Sequence, residues 1–111
     1  MDIVRQKELT PVDYNSSGVK VLDMVQIAPH GLCFPLHWHE RLEFLLIHEG
    51  SIQLLLGDES SIVHSGELVI INAGQLHGGF ASEQGVSYTT IMFEPSSLLN
   101  GTQVSSTLLL P

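Results

Sequence analysis

The sequence predicts an all-β domain, a sandwich or a small barrel with almost no helix. Two observations carry that expectation. Short runs rich in Val, Ile, Leu, Phe and Tyr follow one another from residue 19 to residue 94, each bounded by glycine or polar turn residues. Only "PSSLLNG" (95–101) resembles a helical turn, with Ser96 or Ser97 as a cap and Gly101 as a stop. Many short strands at close spacing and no long helical period point to two packed sheets or one closed on itself.

In chain order, the first run is "VKVLDMVQIA" (19–28), preceded by a polar segment, 1–18, that ends in "NSSG" and reads as an N-terminal arm. "LCFPLHWH" (32–39) follows; Pro35 cannot donate to a ladder, so an edge position or a bulge is expected there. "LEFLLIHE" (42–49) and "SIQLLLG" (51–57) are expected to form a tight hairpin at Glu49-Gly50. "SIVHS" (61–65), "ELVIIN" (67–72), "QLHGGF" (75–80) and "VSYTTIMFE" (86–94) complete the set. Gly57-Asp58, Gly66, Ala73-Gly74 and Gln84-Gly85 punctuate them.

The chain has 111 residues, enough for one core and too few for two. With 43% hydrophobic and 14% charged residues, it reads as a folded globule rather than a disordered segment. The net charge is −8, and of the four basic residues only Arg41 lies beyond residue 20. No basic face for phosphate contacts can be assembled from that set, so this chain is not expected to bind nucleic acid itself. One cysteine, Cys33, excludes an internal disulfide and fits a reducing compartment. The polar, acid-bearing N-terminus is no signal peptide, and "LEFLLI" is far short of the roughly 20 residues of a membrane span. A soluble, cytoplasmic protein is expected. The ending "SSTLLLP" is unusually apolar: either it packs back on the domain or the chain continues in a longer protein. The Leu108–Leu110 run and the acidic, apolar-rich strands also suggest a homodimer.

The chemistry concentrates in "HWHERLEFLLIHEG" (37–50). Strand side chains alternate faces, so His37 and His39 point together while Trp38 points away, toward a sheet or subunit contact. If the strands before and after the bend at 40–42 pair, Glu43 comes level with the histidines. Two imidazoles and a carboxylate form half of a divalent-metal site, and His77 in "NAGQLHGG" is best placed to add to it. In a chain with six histidines a His-x-His pair alone says little; the glutamate four residues on and the flanking glycines give it weight.

"GLCFPLHWHERLEFLLIHEG" (31–50) matches the first cupin motif, G(x)5HxH(x)3E(x)6G, at every fixed position. "GELVIINAGQLHGGFA" (66–81) resembles the second, G(x)5PxG(x)2H(x)3N, with Gly66, Gly74 and His77 in register, Asn72 in place of the proline and Ala81 in place of the asparagine. The resemblance spans about residues 19–94. It implies a double-stranded β-helix barrel with metal ligands at His37, His39, Glu43 and His77. Such a set suits several ions, among them Zn, Ni, Fe, Mn and Co.

Within that superfamily, "HWHERLEFLLIHEGSIQLLLGD", "GELVIINAGQLHG" and the exit "YTTIMFEPSSLLNG" resemble the N-terminal sensor domain of AraC-type transcriptional regulators. That implies a small-molecule effector bound in the barrel, frequent dimerisation, and DNA contact through a helix-turn-helix half that is absent here. On this basis the chain divides into an arm (1–18), a barrel (19–94), and a short turn with a truncated end (95–111). Met24, Cys33 and Tyr88 are candidates to line the pocket, although Cys33 equally suits a buried core position. His30, His48 and His64 match no ligand spacing, and Glu40 with Arg41 reads as a solvated rim. The alternative is a stand-alone metal-dependent cupin enzyme of dioxygenase or isomerase type. It is disfavoured because only Tyr88 offers itself as an acid–base partner.

Overall fold

The computed structural model describes residues 18–94 in full and the backbone of residues 6–7 and 107–109. Among them the chain forms strands β1 (Gln6–Lys7), β2 (Val19–Ile27), β3 (Leu32–Trp38), β4 (Leu42–Leu56), β5 (Glu59–His64), β6 (Glu67–Ile71), β7 (His77–Phe93) and β8 (Thr107–Leu109), and no helix. The helical turn expected at 95–101 and most of the expected arm lie outside the described residues.

Two long strands organise everything else. β7 and β4 pair antiparallel along almost their whole lengths, from Leu42↔Phe93 to Leu56↔His77. The upper half, residues 42–50 of β4 with 86–93 of β7, carries β2 and β6 on its two sides. The lower half carries β3 and β5. The outermost strands are β1, parallel to β3, and β8, antiparallel to β6. Each half buries its inner face against the other: Leu45, Ile47, Val69 and Ile71 from above join Ile52, Leu54, Val63 and Ala81 from below in one cluster. Leu45, Ile47, Ile52 and Leu54 are at most 1% exposed, and burying each such side chain contributes about 1.5–3 kcal/mol. The result is an all-β cupin barrel.

The expected hairpin at Glu49-Gly50 does not form. β4 runs straight through Gly50, and β7 likewise merges the expected runs 75–80 and 86–94 through Gly85. The reason lies across the ladder. Gly50 (φ 72°) and Gly85 (φ 77°) stand side by side with left-handed backbone, the register shifts beside them, and a Cβ on Gly50 would overlap the Gly85 carbonyl oxygen. Two glycines meeting as a bulge let both strands bend together and pass from one half-sheet to the other. The real hairpin comes seven residues later, where Gly57-Asp58 joins Leu56 to its partner Glu59.

The bulge expected near Pro35 is present, as a register shift between Phe34 and His37. Within the apolar C-terminal run, Thr107–Leu109 pairs with Glu67–Val69, so the backbone of these three residues lies along β6.

Candidate metal centre

Four expected residues arrive from three strands at one end of the barrel. His37 lies near the end of β3 and is the register partner of His77, the first residue of β7. His39 follows β3 directly, and Glu43 is the second residue of β4. The three imidazoles sit together, with ring centroids 4.3 Å (His37–His77), 4.7 Å (His39–His77) and 5.4 Å (His37–His39) apart. One ligand atom from each lies within 4.8 Å of the others, so the group could hold a metal ion. His39, His77 and Glu43 are 2%, 1% and 6% exposed, whereas His37 is half-buried and marks the open side.

The backbone sets which nitrogen faces inward. His37 Nδ1 lies 2.6 Å from the Pro35 carbonyl, His39 Nδ1 3.1 Å from the Arg41 carbonyl, and His77 Nδ1 2.9 Å from the Gln75 carbonyl. A carbonyl oxygen only accepts, so each Nδ1 donates its proton, and a neutral ring then presents a bare lone pair at Nε2. The Nε2 atoms of His39 and His77 are buried with no hydrogen-bond partner among the described residues. Glu43 Oε1 lies 3.4 Å from His39 Nε2, within ion-pair range but outside hydrogen-bonding geometry. Two acceptors facing each other in a buried site repel unless a cation lies between them, and burying unpaired acceptors costs about 1–3 kcal/mol each. The residues present therefore fit a metal ion.

The electrostatics agree. Burial pushes the His77 imidazole down to about 4, against the opposing pull of Glu43, so at neutral pH its lone pair is available. Burial alone would raise the Glu43 carboxyl, but its contact with His39 and the charges of His77, His39 and Arg41 outweigh that and hold it below its ordinary value. Imidazole nitrogens together with one carboxylate are the donor chemistry of first-row divalent ions.

Neighbouring residues hold this geometry. The Asn72 N–H, which a proline would lack, donates to Gln75 Oε1 at 3.1 Å, and the Gln75 carbonyl in turn receives His77 Nδ1–H. Gly74 N–H donates to the His39 carbonyl at 2.7 Å, tying this loop to the end of β3. Ala81 is fully buried in the core opposite Ile52, where the motif's asparagine would bring a polar amide.

Cys33 and Tyr88 lie inside. Both pack in the core cluster and share a side-chain hydrogen bond. Burial pushes the Cys33 thiol up to about 11, the Tyr88 hydroxyl partly opposing it. Tyr88 is likewise pushed upward, first by burial and then by the charges of Cys33 and Glu43. Met24 does not join them. It sits at φ 52° on a bulge of β2, is 50% exposed, and lines an outer cleft of about 420 Å³ with Gln26, Glu49 and Gln84.

Two residues escaped the sequence argument. Arg41, expected on a solvated rim, is 8% exposed, with Nε 3.1 Å from Met92 Sδ and its charge acting on Glu43. Its being the lone base after residue 20, beside the motif, was the available signal. Glu40 is exposed as expected. Phe34 sets its ring edge-on to His37 and His77, at 6.2 and 5.6 Å; the bulge at Pro35 hid this by breaking the alternation between residues 34 and 37. Of the remaining histidines, His30 and His64 are exposed. His48 is half-buried on the outer face, where Nε2–H donates to Thr89 Oγ1 (2.6 Å), which donates to Asp23 (2.7 Å). Trp38 is half-buried.

Residues 26–108 match the family described as the AraC-like ligand binding domain. A stretch of 43 residues is 42% identical to YdeC, an uncharacterised HTH-type transcriptional regulator of Bacillus subtilis (strain 168); it covers 39% of this chain and 15% of that protein. The fold is similar to that of oxalate decarboxylase. A structure of the Bacillus subtilis enzyme at pH 4.6 aligns with a TM-score of 0.62 and 25% identity over 86% of this chain and 24% of that one. Another, concerned with proton-coupled electron transfer in oxalate decarboxylase, aligns with a TM-score of 0.64 and 23% identity over 73% and 22%. A third, at a TM-score of 0.62 and 24% identity over 86% and 25%, concerns the Mn(II) centres of the Bacillus subtilis enzyme. The chain thus spans a quarter or less of the proteins it resembles. With a family match over three quarters of its length and a cupin barrel around an inward-facing histidine cluster, the chain belongs to the AraC-like ligand binding domain family.

Proposed function

We propose that this chain is the small-molecule-sensing domain of an AraC-type transcriptional regulator and that it holds a divalent transition metal through His37, His39, Glu43 and His77. One observation carries the proposal: three imidazoles are locked by backbone carbonyls with Nε2 inward, beside a carboxylate kept ionised by its surroundings. When bound, the metal supplies a Lewis-acidic anchor for an oxygen or nitrogen of the effector. The chain's residues do the rest. His37, on the open side, borders the route by which an effector reaches the site; Tyr88 and Cys33 present a hydroxyl and a thiol on the inner wall. With a net charge of −8, the domain leaves DNA contact to a separate helix-turn-helix region, in a cytoplasmic regulator. The identity of the metal follows availability as much as ligand type, with Zn, Ni, Fe, Mn and Co all suited to the donors.

The enzyme alternative needs an acid–base group near its working pH beside the metal. Tyr88, the group on the inner wall in electrostatic reach of Glu43, is pushed away from that range. The sensor reading is therefore preferred.

The test is metal analysis of protein purified without a chelating column, in the wild type and in His39→Ala, His77→Ala and Glu43→Gln variants. About one ion per wild-type chain is expected, with at least ~10-fold less in each histidine variant. Equal metal content in folded His77→Ala and wild type would sink the ligand assignment. A screen of chelating small molecules against the loaded protein then tests sensing, by a rise in Tm that Tyr88→Phe diminishes.

A further inference from the structure

The cleft of about 420 Å³ on the outer side of the two-glycine bend shares no residue with the histidine cluster. Register builds a polar row into it. Gln26 of β2 and Glu49 of β4 are both partners of Ser87 on β7, so an amide, a hydroxyl and a carboxylate stand side by side, about 5 Å apart, on one face. Val86 and Tyr88, before and after Ser87, belong to the core cluster, and alternation therefore turns Ser87 outward into the cleft. Ser87 is only 7% exposed, yet its Oγ has no hydrogen-bond partner among the described residues. Thr89, the next hydroxyl on this face, is by contrast engaged with His48, Asp23 and the Met24 N–H. A buried hydroxyl left unpaired is destabilising, and a ligand in the cleft that pairs with it recovers the loss. Met24 and Pro29 add apolar wall and Gln84 a second amide.

We propose that this cleft binds a primary amine, held as its ammonium ion by Ser87, Glu49 and Gln26, at a site separate from the metal centre. The lining selects that class. It contains one carboxylate and neither Lys nor Arg. Of the two bases within residues 18–94, Arg41 is buried against Met92, and Lys20 is the register partner of Met92, roughly 17 Å along β7 from Ser87. An anion would meet unbalanced negative charge here, in a chain of net charge −8. A carboxylate only accepts hydrogen bonds, and the hydroxyl and the amide oxygen beside it accept as well, so the ligand must donate. An ammonium group carries three donors on one atom; above Ser87 it reaches the hydroxyl, the Glu49 carboxylate and the Gln26 oxygen together. A quaternary ammonium has no N–H to give and relies on aromatic faces, and no Phe, Tyr or Trp lines the cleft. Met24 and Pro29 are left for the carbon chain of the amine.

An NMR titration of the nitrogen-15-labelled 111-residue chain with n-butylammonium chloride at neutral pH tests this directly. Saturable shifts are expected at the side-chain amides of Gln26 and Gln84 and the backbone amides of Ser87, Glu49 and Gly50, with a Kd on the order of 1 mM, the class of a ligand with few heavy atoms. The amides of His37, His39 and His77 stay in place, which separates this site from an amine coordinated to a metal. Butyrate, butan-1-ol and tetramethylammonium chloride bind at least ~10-fold more weakly. Glu49→Gln, at an exposed position where the fold is not at stake, raises the Kd about 10-fold, and Ser87→Ala about 3- to 10-fold. Glu59→Gln, which removes an exposed acid from the other half of the barrel, leaves it unchanged. Ser87→Ala also separates a ligand contact from a structural one: the free variant keeps or raises its Tm, because no protein partner of the hydroxyl is lost. No saturable shift by about 50 mM n-butylammonium, shifts centred on the histidines, equal binding of tetramethylammonium, or a Kd indifferent to Ser87→Ala and Glu49→Gln would each overturn the proposal. So would a lowered Tm of free Ser87→Ala.

Discussion

Replacing Gly50 by alanine tests the bend on which the barrel depends, and Gly57 supplies an internal control. Both glycines hold left-handed backbone, at φ 72° and φ 59°. An added Cβ in that conformation costs roughly 1–2 kcal/mol, part of it offset by a stiffer unfolded chain. At Gly57 nothing lies within 4 Å of the new methyl, so Gly57→Ala loses only that conformational term, about 1 kcal/mol. At Gly50 the methyl meets the Gly85 carbonyl oxygen, a backbone atom in the paired strand that cannot swing aside. The ladder must open beside the bulge, adding overpacking of about 1–3 kcal/mol and a lost backbone hydrogen bond of about 1 kcal/mol. Gly50→Ala should therefore lose about 3–5 kcal/mol, a large share of the 5–15 kcal/mol typical of a domain. Urea unfolding at pH 7 of both variants, followed by circular dichroism, measures the difference. Equal losses would show that the approach of Gly50 to Gly85 does not constrain the fold, and the account of the bend would be wrong.

Three further outcomes are expected. Cys33, pushed up to about 11 by burial, carries about one thiolate in a thousand at pH 8, where an ordinary thiol of 9.0 carries about one in ten. Its alkylation by iodoacetamide should be ~100-fold slower than that of a free thiol and climb steadily above pH 9; a normal rate at pH 8 would contradict its burial beside Tyr88. Thr89→Val removes a hydroxyl that binds His48, Asp23 and the Met24 N–H at once. It should cost about 2 kcal/mol in urea unfolding, with Thr89→Ser restoring most of the loss. Leu54→Ala opens a cavity in the fully buried core and should cost about 2–5 kcal/mol, whereas Leu32→Ala, at an exposed site, should stay within about 0.5 kcal/mol.

The sequence by itself determined what is local. Alternation of side chains and the spacing of glycines marked nearly every strand, and the intervals between His37, His39, Glu43 and His77 were enough to single out the residues that converge. What it could not express was pairing. Glu49-Gly50 and Gly57-Asp58 look alike as local signals, yet one is a bend and the other a hairpin, and the difference is made by Gly85, brought alongside from 35 positions away. The tertiary structure likewise decided that Arg41 is buried by Met92 rather than solvated, that Met24 lies outside the barrel, and that Thr107–Leu109 finds an edge on β6. It also aligned Gln26, Ser87 and Glu49, residues with no common pattern along the chain. Period and propensity are properties of a strand alone, whereas register, burial and the partner of each backbone group are properties of two strands together.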